Sequence, residues 1–364
     1  MTYRLTITLF AALAGAVPHA YAQPQQAMQP APPAQPSQPV PMTPRQMPAP
    51  QPPAPAQATH ALQQPGAMPG APGAVQDPAI AEQAEFERLL RAQVLLERMY
   101  LSPGELDGAY GSNMRQALTT FQTIRNLPVT GQLDPATFAA LNADASPTVA
   151  SYTISEDDVK GPFRPVPSGM MAKAKLPELG YANALEGLGE KFHASPALLQ
   201  RLNPGKNLSQ AGEQIVVPNV SGKAPLPMAA KVVVRDKAKI LQLYDASDRL
   251  LAQYPASTGS KHDPLPIGDW KIQGVHANPV YNYNPKLFWD ASPGDSKTQI
   301  RPGPNNPVGV MWIALSKKHY GIHGTPIPSH VGKTESHGCI RLTNWSAAEV
   351  GAVVDESTNV VLQQ

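Results

Sequence analysis

The single cysteine of this chain, Cys339, lies in the run HGTPIPSHVGKTESHGCIRL, from His323 to Leu342. His323 stands upstream of it, His337 and Gly338 lead directly into it, and Arg341 follows. A thiol attacks a carbonyl as the thiolate, so it needs a base or a positive charge close by. Two histidines on the approaches to one thiol supply candidates for that base. A glycine beside the cysteine lets a substrate come close to the backbone. The alternative chemistry is metal binding, since His319, His323, His330, His337 and Cys339 are all nitrogen or sulfur donors. The glycines and prolines that break this segment argue against it, because His319 and His323 then do not share a helix face. No metal and no cofactor is expected.

The compartment gives the cysteine more meaning. Residues 1–22 read as a secretory signal: Arg4, an apolar run from Leu5 to Val17, then Ala20-Tyr21-Ala22 as a cleavage site. The apolar run is too short for a stable membrane span, so cleavage after Ala22 and export to the periplasm or cell envelope are expected. No cysteine follows that site to carry a lipid. An exported chain with one unpaired thiol needs a reason for it, and catalysis is one. A buried structural thiol is the other reading, but Gly, His and Arg are poor core neighbours.

The elements that must position this site are read from composition and periodicity. The chain has 364 residues and 42 prolines, unevenly spread. Its net charge of +2, without a dense basic patch, points away from nucleic acid. No transmembrane helix is expected in the mature chain. Residues 23–78 form a Pro/Gln/Ala-rich spacer with too few bulky apolar residues to offset the entropy of ordering. Fully extended at about 3.1 Å per residue, it reaches on the order of 160 Å. From Ala79 to Tyr100, Phe86, Leu89, Leu90, Val94, Leu95 and Met99 recur at helical spacing. A second helix follows through Met114, Ala117, Leu118, Phe121 and Ile124. A third begins at Asp134-Pro135, a cap followed by a first-turn proline. Residues 150–220 hold two short helices, the second opened by Ser195-Pro196, and a closing strand from Gln214 to Val217. His193 is read as a helix-end residue. Lys223 to Pro227 is read as a hinge. Beyond it, Lys231–Arg235, Ile240–Tyr244, Leu250–Pro255, Trp270–Val275 and Val310–Leu315 alternate as strands. One helix is expected from Asn344 or Ser346 to about Val354, then a last strand, NVVLQ, which makes a β-rich domain, closed or sandwiched.

Three resemblances follow from quoted motifs. Residues 79–145, with LDGAYGSNMRQALTTFQTIRNLPVTGQLDPATFAAL, resemble a peptidoglycan-binding three-helix domain. Within 150–220, GEKFHASPALLQRLNPG and GEQIVVP resemble the second half of a LysM carbohydrate-binding module. Its first half departs from that pattern, with an insertion from Gly161 to Gly180. Residues 229–364 resemble the L,D-transpeptidase (YkuD-like) catalytic domain through PASTG, PLPIGDWKI, IHGT and SHGCIRL. The implied architecture is multidomain. A β-rich, sandwich-like catalytic domain with one helix follows a three-helix bundle and a small α+β module.

The last resemblance implies roles. Cys339 is the nucleophile that forms a thioester, and His323 the general base, with His337 as a second, catalytic or supporting, histidine. Gly338, Ser336, Arg341 and Gly324 belong to the oxyanion or substrate-binding set. The segment from Thr325 to Glu335 is expected to form a groove wall or flap. The implied partners are peptidoglycan stem peptides and glycan strands, with carbapenem-type compounds as inhibitors. The acceptor stays open among a stem-peptide amine, a lipoprotein lysine, a D-amino acid and water. A wall-binding protein without catalysis is the alternative from another class.

Overall fold

The structure, a computed structural model, describes residues 77–364. The expected leader and nearly all of the proline-rich spacer lie outside the described residues. Helix α1 (Pro78–Arg98) begins where Asp77 accepts the Ala79 N–H and Pro78 occupies a position that needs no donor. The one apolar face expected of this helix is in fact two. Phe86, Leu90 and Val94 pack toward the middle of the chain. Leu89, Ala92, Leu95 and Leu96 pack on α2 (Ser112–Ile124) and α3 (Pro135–Leu141). Two neighbours flank the helix, so stripes at successive i, i+3/i+4 spacings are both buried. Asp134 caps α3 by accepting the Thr137 N–H at 2.8 Å.

In the middle segment, strands β1 (Val149–Thr153) and β2 (Gln214–Pro218) pair antiparallel, from Val149 opposite Pro218 to Thr153 opposite Gln214. Helices α4 (Glu156–Val159), α5 (Met170–Lys173), α6 (Ala184–Lys191) and α7 (Pro196–Leu202) lie between them in the chain. Ser195 caps α7 through the Leu198 N–H. The Gly161–Gly180 insertion is a strap onto the C-terminal domain. Leu179 is buried with Tyr283 and Ile300, and Met170, Ala174 and Leu176 pack around them. The Leu179 N–H donates to the Pro302 carbonyl.

The C-terminal domain carries strands β3 (Lys231–Arg235), β4 (Ile240–Tyr244), β5 (Leu250–Pro255), β6 (Gly268–Ala277), β7 (Tyr281–Tyr283), β8 (Thr298–Ile300), β9 (Met311–Leu315), β10 (Gly321–His323), β11 (Ile340–Arg341) and β12 (Asn359–Gln363), with helix α8 (Asn344–Gly351). Eight of them form one sheet in the order β11-β10-β9-β6-β12-β3-β4-β5. Of the two arrangements expected for the β-rich domain, closed or sandwiched, the sheet takes the first: it is one curled sheet, not sandwich-like. The long β6 pairs with β12 through Gly268–Lys271 and with β9 from Ile272 onward, and Gln273 is an extra residue in that ladder. A bulge bends and twists its strand. The two ends of the sheet then meet in an antiparallel bridge between Ser257 and Arg341. Val232, Leu241, Tyr254, Ile313, Ile322, Ile340 and Val360 fill the interior. Helix α8 starts at its Thr343 cap, which accepts the Ser346 N–H, and it stops at Gly351, earlier than expected. A Cβ on Gly351 would lie 2.8 Å from the Met311 sulfur, so the helix ends pressed against β9.

The modules are packed on this sheet. The segment Tyr100–Ser102 runs along β5: the Gln253 N–H donates to the Tyr100 carbonyl at 2.7 Å, and the Ser102 N–H donates to the Gln253 carbonyl at 2.8 Å. The buried Gln253 amide donates to the Gln116 carbonyl and accepts from Thr120 Oγ1. The expected hinge is pinned. Lys223 Nζ lies 2.8 Å from Glu97 Oε1 and 2.8 Å from Glu349 Oε1. His193, in the left-handed region at φ 55° just past α6, approaches the same Glu97 oxygen at 2.9 Å and stacks on Trp345. Glu97 is fully buried.

Candidate active site

Strand β10 lies between β9 and β11 and pairs parallel with β11, Ile322 beside Ile340 and His323 beside Arg341. Ile322 and Ile340 are fully buried in the core. Side chains alternate along a strand, so His323 and Arg341 share the opposite face. Cys339, two residues before Arg341, falls on that same face. The sequence motif halves therefore meet because two short strands are in register. Neither strand was expected from the sequence: at two and three residues, each is too short to show alternation.

Cys339 is half-buried, and its thiol donates to the His319 carbonyl at 3.7 Å. Burial pushes the thiol up to about 11, against the opposing pull of the Gly321 backbone and the Arg341 charge. His323 is buried, and Trp312 stacks on it from β9 with ring centroids 5.5 Å apart. Its Nδ1 lies 2.7 Å from the Gly324 carbonyl oxygen. A carbonyl only accepts, so Nδ1 carries the proton and Nε2 keeps its lone pair. Burial lowers this histidine to about 4, against the Gly324 carbonyl that pulls it up and with a smaller push in the same direction from the Arg341 charge. The resting site is thus a neutral thiol and a neutral imidazole, not a preformed ion pair. Proton transfer has to accompany attack.

Gly338 takes φ 94°, and a Cβ there would meet Tyr320 Cε1 at 2.7 Å. No other residue type fits both conditions. Its N–H is engaged by Ser336 Oγ at 3.2 Å, and the same hydroxyl donates to the Cys339 carbonyl at 2.6 Å. The Ser336 N–H donates to the Thr258 carbonyl, tying this turn to the PASTG segment. Gly324 packs on Asn344, whose Oδ1 would lie 2.3 Å from an added Cβ. Arg341 donates from Nη2 to the Glu335 carbonyl, while its Nε is buried without a partner. His337 is placed elsewhere. Its Nε2 lies 2.9 Å from Asp290 Oδ1, and its ring meets the Phe288 ring edge-on. It belongs to the excursion between β6 and β9 rather than to the face that holds His323. Among the described residues no cluster of three or more His, Cys, Asp or Glu is close enough to hold a metal ion.

The sequence reading missed Trp312, Tyr320, Asn344 and Tyr281. Burial and the nearby Cys339 charge raise both the Tyr281 and Tyr320 phenols. Tyr320 and Asn344 each sit two residues outside the two motifs, a signal that was available. Trp312 and Tyr281 carry no such signal, because pairing across strands brings them in.

Residues 229–362 match the L,D-transpeptidase catalytic domain family (YkuD), and residues 87–141 match the family described as "Putative peptidoglycan binding domain". The chain is 32% identical over 178 residues to the "Putative L,D-transpeptidase YkuD" of Bacillus licheniformis, covering 48% of this chain and 91% of that protein. The Bacillus subtilis protein of the same description is 28% identical over 183 residues, 50% of this chain and 94% of its own. Among solved structures, L,D-transpeptidase 3 from Mycobacterium tuberculosis aligns with a TM-score of 0.31 and 13% identity, over 42% of this chain and 76% of that one. The chain belongs to the L,D-transpeptidase family, with a peptidoglycan-binding domain ahead of its catalytic domain.

Proposed function

We propose that this protein is a cysteine-dependent peptidoglycan L,D-transpeptidase. The observation that carries the reading is the shared face of β10 and β11, where His323 presents an unprotonated Nε2 beside the nucleophile's strand. The donor is a tetrapeptide stem. As His323 Nε2 takes the thiol proton, Cys339 Sγ attacks the carbonyl that precedes the terminal D-Ala. The C–N bond then breaks, His323 returns the proton to the departing amine, and a thioester remains. An acceptor amine then attacks the thioester and loses its proton to His323; the C–S bond breaks, the departing Cys339 sulfur takes that proton back from His323, and a new amide is left, a 3–3 cross-link when the acceptor is another stem. The half-buried Arg341 guanidinium and the backbone of the turn 337–339 are assigned to the substrate carboxylate and the oxyanion. Ser336 braces the turn, and His337 supports it through Asp290. Residues 87–141 hold the wall, residues 150–220 are a LysM-like module, and the leader exports the chain to the cell envelope.

Purified muropeptides incubated with the protein, with products read by mass spectrometry, test this. A cross-linked dimer with release of D-Ala is expected. Loss of D-Ala without a dimer makes the enzyme a carboxypeptidase, and transfer to a lipoprotein lysine or a free D-amino acid makes it the corresponding transferase. No D-Ala release, and no carbapenem adduct on the wild type that disappears in Cys339→Ala, removes the catalytic reading and leaves a wall-binding protein.

A further inference from the structure

The segment from Thr325 to Glu335 joins His323 to the nucleophile turn. Its only regular structure is one turn of 3-10 helix, Pro328–His330. Such a loop holds one conformation only if outside groups fix it. Its own domain supplies Ser257, whose hydroxyl accepts the Gly332 N–H at 3.1 Å and donates to the His330 carbonyl at 3.3 Å. Ser257 also exchanges backbone hydrogen bonds with Arg341, so it couples this loop to the strand that follows Cys339.

Arg341 holds the loop's far end through the Glu335 carbonyl, and a further anchor comes from the wall-binding domain. Asn113, the second residue of α2, donates from Nδ2 to the Val331 carbonyl at 2.9 Å. Val331 is buried. Gly332 has φ 76°, and a Cβ there would lie 2.2 Å from Asn113 Oδ1. The loop backbone and the amide are thus fitted to each other with no room for a side chain. On the far side of the amide, a Cβ on Gly104 would lie 3.1 Å from Asn113 Nδ2 and 3.3 Å from Pro255 at the end of β5. Asn113 does not cap its own helix, whose cap position is Gly111 without a side-chain bond.

We propose that Asn113 is a positioning residue for Cys339. It holds the loop 325–335 in the register that Ser257 and Arg341 pass on to the nucleophile, so the wall-binding domain completes the active site. The inference rests on the transpeptidase reading, and its test contains an arm that does not.

In the full chain, Asn113→Ala removes the anchor. Asn113→Asp keeps its shape but turns a carboxylate toward the Val331 carbonyl. Three readouts are compared with wild type: carbapenem acylation of Cys339, split into binding and acylation steps; alkylation of Cys339 by iodoacetamide; and amide exchange across 325–335. Both variants are expected to acylate about tenfold more slowly at unchanged binding, the size of loss a small misplacement causes. They are expected to alkylate several-fold faster and to exchange faster in the loop, while α1 and α3 stay protected. Wild-type rates in both variants, in alkylation as in acylation, overturn the proposal. So does faster exchange that spreads through α1 and α3, since that reports a loosened fold. If the wild type itself takes no carbapenem, the transpeptidase reading fails first, and alkylation and loop exchange alone decide whether Asn113 holds the loop.

Discussion

Two buried polar clusters in this molecule respond to the same loss of water in opposite ways. At the module junction, Glu97 is fully buried, yet Lys223 and His193 hold its carboxylate below the ordinary value despite the burial that pushes it up. At the sheet end, Cys339 and His323 face each other's neighbourhood without a charge of opposite sign within their pair. Burial wins there, driving the thiol up to about 11 and the imidazole down to about 4. Desolvation penalises a charge wherever it occurs, and only a matched counter-charge returns the difference. The junction keeps its charges and becomes a clamp. The site stays neutral, so its charge forms only in the course of a reaction, where the arriving substrate can stabilise it.

The contrast breaks first at the site. Replacing His323 by Ala should cut the rate of Cys339 acylation by roughly 10²–10⁴-fold, the usual worth of a general base. In the wild type the acid limb of the rate profile should fall near pH 4, where His323 becomes protonated and can no longer accept, rather than near its ordinary 6.5. An acid limb at 6.5 would mean that the imidazole is not desolvated.

At the junction the loss should appear as stability. Glu97→Ala leaves the Lys223 ammonium buried with one partner fewer and should cost about 3–5 kcal/mol in urea unfolding. The paired replacement Glu97→Met with Lys223→Met should recover most of it. If the pair is as destabilised as Glu97→Ala, the charges contribute more than each other's compensation. As pH falls from the ordinary 4.5 of Glu97, stability should decline, since its folded pKa lies lower and the unfolded chain takes up the proton first.

Glu190 sharpens the rule from the other side. It lies between the two clusters, accepts from Asn344 Nδ2 at 2.8 Å and has no cation beside it, and burial raises it to about 8. The folded protein then binds this proton more tightly than the unfolded chain, so its contribution is present below 4.5 and is lost as pH rises toward 8. Glu190→Gln should flatten that decline by on the order of 1 kcal/mol at pH 8, measured as urea midpoints across the range. The smallest effect is expected where water remains. Lys206 and Glu213, paired at 2.7 Å at the surface, should contribute about 0–1 kcal/mol, and Lys206→Ala should leave the midpoint nearly unchanged.

Much of this was legible in the sequence. The strands β3, β4, β5, β6, β9 and β12 were foreseen because several consecutive residues alternate. The Asp134 and Ser195 caps were foreseen because cap chemistry is local. The nucleophile and its histidine stood out through residue type and spacing. What stayed hidden depends on partners distant in the chain. Strands β10 and β11 exist only through each other. Lys223 read as part of a hinge because nothing in its neighbourhood names Glu97 or Glu349. Asn113 gave no signal at all, since its partner lies in a loop that begins more than two hundred residues later. Residue type and spacing left His337 open between a catalytic and a supporting place, because its partners Asp290 and Phe288 lie some fifty residues upstream.

The backbone of Tyr100–Ser102, laid along β5, has a practical meaning for anyone who trims this gene. A fragment that begins near residue 229 would strip that cover and leave the Gln253 N–H and carbonyl without partners on an outer strand. Exposed strand margins recruit one another. Such a fragment should come out of the cell as oligomers or inclusion bodies, and a soluble expression clone should start ahead of Asp77.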